Sequence, residues 1–150
     1  MYLGVILATM AVLPLLSIGA ELALHGGAPL VLAAKWFTFW GVGVRIMLAA
    51  VKQMTQPEFT ARILHIDDPR AHIVVRELGF ANAAIALLAL LSLPWPSFLV
   101  PAALAGAVFL GLAGIQHALQ KARGGKETIA MVSDFGLAAV LLACLLGLIA

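Results

Sequence analysis

Charge is what this sequence has least of: Asp, Glu, Lys and Arg make up 11% of it, against roughly a quarter in a soluble domain. With 63% apolar residues and a mean hydropathy of +1.09, that shortage excludes an ordinary water-soluble globule and implies an integral membrane protein. A single cysteine, Cys144, excludes an internal disulfide, and its place in an apolar run reads as a small buried hydrophobe. No Gly-rich phosphate loop, nucleophile elbow or paired cysteines occur. The net charge of +2 does not point to nucleic acid, because the basic residues sit at the ends of apolar runs, where membrane orientation explains them.

What is present is five apolar runs, at 2–24, 30–51, 73–93, 98–119 and 129–149, each long enough to cross a hydrocarbon core of roughly 30 Å as a helix. "HGGAP", "PWPS" and "QKARGGKE" punctuate them, and only the connection at 52–72 is long. The chain is therefore expected to be one all-α domain over 1–150, a four-helix core plus one further helix. "SIGA" at 17–20 resembles a signal-peptide cleavage site, but the run is long and no basic segment precedes it, so a retained helix is expected.

Lys52, Arg62, Arg70 and Arg76 lie in or beside the second connection, Lys121, Arg123 and Lys126 in the fourth, and the other two connections contain no Lys or Arg. Cytoplasmic loops carry the basic excess, so the expected location is a bacterial inner membrane with the N-terminus inside and the C-terminus outside. Within the long connection, "TQPE" has the Thr and Glu of a capping box, and Phe59, Ile63 and Ile66 follow at helical spacing, which predicts a short amphipathic interfacial helix. "DDP" at 67–69 then predicts a helix start near Pro69. "HIDDPRAH" supplies two imidazoles and two carboxylates, but it lacks an HExxH or HxxxH pattern, and no metal site is assigned.

Ionisable groups inside a span are costly, and each faces the bundle, snorkels or marks a site. Lys35, Thr38, Val42, Arg45, Ala49 and Lys52 recur every three or four residues and predict one polar stripe on the second helix, with Trp36, Phe39, Trp40 and Met47 covering the rest. Arg45 lies about 10 Å deeper than Lys52 and needs a carboxylate, for which Glu77 and Asp134 are the candidates. Counting inward from the basic ends places Arg45, Glu77, Asn82, Gln116, His117, Ser133 and Asp134 in one polar layer. Small-residue stripes at Gly79, Ala83 and Ala86, and at Ala103, Ala107, Gly111, Gly114 and Ala118, allow the close packing such a layer needs. On the opposite side, Ser17, Glu21 and His25 share a stripe, and Glu21 is expected to pair with Lys35.

"RELGFAN" opening one span, a Gly-rich helix ending in "GIQHAL" and a small final span resemble the DoxX-like group of small bacterial membrane proteins, from about residue 36 to the C-terminus. The resemblance implies a helical bundle whose recurring acidic residue and small-residue helices map here onto Glu77, Asn82 and His117, and some members are tied to quinone-linked sulfur oxidation. The additional first helix and the charged second helix depart from a plain four-helix pattern.

Together these features predict a polar pocket that binds a small amphipathic molecule such as a quinone, isoprenoid or lipid. Arg45, Asn82, Gln116 and Trp40 would hold it, and Glu77, His117 and Asp134 would handle protons. No cofactor is specified. Two other readings stay open: an accessory or scaffold subunit, in a homo-oligomer or larger membrane complex, whose polar layer only locks helices together, and a small transporter.

Overall fold

Five stretches are apolar enough to prefer hydrocarbon and long enough to cross it, and all five are helices: α1 (Leu3–His25), α2 (Pro29–Thr55), α4 (Ala71–Leu91), α5 (Pro96–Leu119) and α6 (Gly125–Ile149). A short helix, α3 (Pro57–Ile63), follows α2. The computed structural model describes residues 2–64, 66–120 and 124–149, and among these there is no strand. The chain is an all-α helical bundle and a multi-pass membrane protein.

Local chemistry sets the helix ends. After α1 the backbone turns through Gly26 and Gly27 at φ of 70° and 124°, a region that favours glycine, and Pro29 then supplies the first turn of α2. α6 starts earlier than the apolar run suggested, because the Gly124 amide donates to Glu127 Oε2 at 3.1 Å and caps the helix from within.

The "TQPE" capping box does not form. Thr55 stays inside α2 and its hydroxyl donates back to the Val51 carbonyl at 2.7 Å, while Pro57 begins α3. That helix ends at Ile63, and Ile66 is exposed beyond it. Asp68 does prepare the next helix, its side chain accepting the Arg70 amide at 2.9 Å just before α4 begins.

α2, α4, α5 and α6 form the core, with α1 lying along the first half of α2. Val42, Ala86, Ala103, Ala107, Leu110, Leu137 and Leu141 fill the centre. Small residues bring the helices together: a methyl placed on Gly106 would lie 2.5 Å from a Val42 methyl, and one on Gly41 would lie 2.6 Å from Leu137. Both contacts involve a widened π-helical turn at Thr38–Val44, which shifts the phase of α2. The expected single polar stripe is consequently broken: Lys35 meets α1, Arg45 meets α6, Lys52 lies over Phe59 of α3, and Ala49 is exposed.

Candidate functional site

Arg45 follows the widened turn and lies ten residues inside the end of α2, about 15 Å deep at 1.5 Å per residue, half of a hydrocarbon core. Asp134 is nine residues inside α6, so the two charges share a level. Arg45 Nη2 donates to Asp134 Oδ1 at 2.6 Å and to Ser133 Oγ at 2.8 Å, and the Ser133 hydroxyl donates to the Ala130 carbonyl. The side chains of Arg45 and Asp134 are only 12% and 7% exposed. Of the two candidate carboxylates, Asp134 is the one that meets Arg45.

Glu77 is exposed because of the register between α2 and α4. Gly79 packs against Met54 and Gln53 in the last turn of α2, so Glu77, two residues earlier, lies level with the helix end and points outward. Asn82, one turn deeper, is buried and donates to Gln53 Oε1 at 2.8 Å, a partner the sequence reading missed. Gln116 is exposed too: Gly114 and His117 occupy the seam of α5 facing α6, and a residue between them is rotated off it. Trp40 lies in a different cluster, donating to Ser17 of α1 at 3.0 Å.

Two further ionic contacts lie at opposite ends of the bundle. His117 Nδ1 lies 3.9 Å from Glu127 Oε1, near the Lys126 end of the bundle, with Glu127 fully buried. Glu127 was not singled out by sequence, although "GGKE" before an apolar run carries the capping signal. At the other end Glu21 accepts Lys35 Nζ through both oxygens, at 2.7 and 2.8 Å, and Trp36 Nε1 at 2.7 Å. The anticipated layer is therefore three separate pairings, Arg45–Asp134, Asn82–Gln53 and His117–Glu127, with Glu77 and Gln116 exposed outside them.

Neither of two clefts among the described residues is lined by Arg45, Asn82 or Asp134. One, of about 510 Å³, lies between α3 and the start of α6, lined by Phe59, Arg62, Ile63, Gly124, Gly125, Lys126 and Glu127. Over the Phe59 ring sit two ammonium groups, Lys52 at 4.7 Å and Lys126 at 5.5 Å from its centroid. The other, of about 490 Å³, borders the Glu21–Lys35 pair and includes Ser17, His25 and Trp36.

No protein-family model, curated protein or solved structure matches this chain. Its site is accordingly read from its own chemistry. No group of three metal-ligating side chains occurs among the described residues; His65 of "HIDDPRAH", like Lys121 and Arg123 of the basic loop, lies outside them. Space, apolar surface and uncompensated positive charge coincide in the α3–α6 cleft, which can take an amphipathic molecule by its polar end. The Arg45–Asp134–Ser133 group lines neither cleft and joins α2 to α6.

Proposed function

We propose that this is a bacterial inner-membrane protein that binds a small amphipathic molecule, of the quinone, isoprenoid or lipid kind, in the cleft between α3 and α6. The carrying observation is that the cleft combines the apolar side chains of Phe59 and Ile63 with the cationic side chains of Arg62 and Lys126 at one end of the bundle. The concentration of Lys and Arg at that end supports a cytoplasmic location for it, with the N-terminus inside and the C-terminus outside. His117 and Glu127 are the groups beside the cleft suited to exchange a proton with an occupant, whereas Asp134 is committed to Arg45.

The test is mass spectrometry of molecules that copurify with the full chain in mild detergent, repeated on Phe59→Ala. An amphipathic molecule present in the wild type and depleted in the variant is the expected result; its absence from both defeats the reading. A second reading, an accessory subunit, is favoured by the buried Arg45–Asp134–Ser133 group, which ties α2 to α6 and lines neither cleft. It predicts copurification of a larger complex and a ligand content unchanged by Phe59→Ala.

A further inference from the structure

The two clefts differ in charge. In the one beside α1, the carboxylate of Glu21 is bonded by both oxygens to Lys35, so a cation and an anion neutralise one another. In the α3–α6 cleft, Arg62 and Lys126 are exposed and neither has a carboxylate partner among the described residues. Lys52 adds a third positive charge on the Phe59 ring. The one acid lining the cleft, Glu127, is buried at 1% exposure, with one oxygen accepting the Gly124 amide and the other facing His117. The start of α6 is thus served by the chain's own carboxylate, and an anion entering the cleft would be met at its rim by side-chain cations.

Building on the proposed amphipathic-ligand site, we infer that the occupant is an anionic phospholipid, its phosphate held between Arg62 and Lys126 and its acyl chain lying along Phe59 and Ile63. A phosphate group matches the guanidinium of Arg62 and the ammonium of Lys126. The apolar side chains supply a contact that a free inorganic anion would not use. The position fits a headgroup, because Lys52, at the last turn of α2, marks the level where the bundle leaves the hydrocarbon. The aromatic ring discriminates as well: a choline headgroup would seek the Phe59 face for its quaternary ammonium, but Lys52 and Lys126 already approach that ring and repel another cation.

Native mass spectrometry of the full chain, offered dioctanoyl phosphatidylglycerol or dioctanoyl phosphatidylcholine, tests this directly. The wild type should retain the glycerol lipid preferentially. Double substitution Arg62→Gln with Lys126→Gln should weaken that retention about twenty-fivefold, at about fivefold per basic residue, and erase the preference. Equal retention of both lipids by the wild type, lost in Phe59→Ala, overturns the anionic assignment and leaves the amphipathic site standing. Retention of neither, or retention indifferent to Phe59→Ala, overturns both. Displacement of the glycerol lipid by inorganic phosphate alone would replace the lipid with a soluble anion and overturn the inference.

Discussion

Arg45 and Asp134 show what a charge inside the bilayer requires. Each would be costly alone at that depth, and their short contact, with Ser133 as a second acceptor, offsets the loss of water. Removing one partner leaves the other buried and uncompensated, so Asp134→Asn should lower stability by about 3 kcal/mol or more. The double variant Arg45→Met with Asp134→Leu, which removes both charges and keeps apolar volume, should recover most of that loss. Thermal unfolding in detergent measures both, and a double variant no better than Asp134→Asn would contradict the ion-pair account. This pairing was legible from residue counts, since Arg45 and Asp134 lie at similar distances from the basic ends of their helices. Glu77 was misplaced by the same counting, which treats Arg76 as a marker of the membrane surface. The packing of Gly79 on Met54 and Gln53 instead sets Glu77 beside the end of α2 on the outside of the bundle, and only tertiary contact reveals that register.

The helices themselves were legible because hydropathy reports span length directly, and the structure alters only their ends. The widened turn at Thr38–Val44 was not, since Gly41, Val42 and Gly43 meet α6, α5 and α4 respectively, and none of those contacts has a local signature. Its consequence is that Lys35, Arg45 and Lys52 serve three different neighbours instead of lining one pocket. Because Val42 is β-branched and held on all sides, it cannot swing aside for a new methyl on α5. Gly106→Ala should therefore cost about 1–3 kcal/mol through overpacking. Gly111→Ala on the same helix is the control: its added methyl would lie 3.9 Å from Ala138, an ordinary contact, and alanine favours helix. Detergent unfolding of the two variants should separate them, and equal stabilities would mean that the α2–α5 seam relaxes freely.

At the scale of the molecule, seven of the nine Lys and Arg residues lie in or beside two connections, and the two spans between those connections put them on the same side. Arg45 is neutralised inside the bundle and Lys35 is paired with Glu21, so neither cancels that asymmetry. Insertion should then retain the basic end in the cytoplasm, leaving Ala28 outside and Asp67 inside. Cysteine accessibility can read this cleanly, since Cys144 is buried and can be changed to alanine beforehand. In that background, Ala28→Cys should react with a membrane-impermeant maleimide in intact spheroplasts, and Asp67→Cys only after permeabilisation. The reverse pattern would place the α3–α6 cleft in the outer leaflet. An occupant would then have to come from the lipids of that leaflet, and the cationic rim would lose the connection to orientation that now explains why it lies at that end.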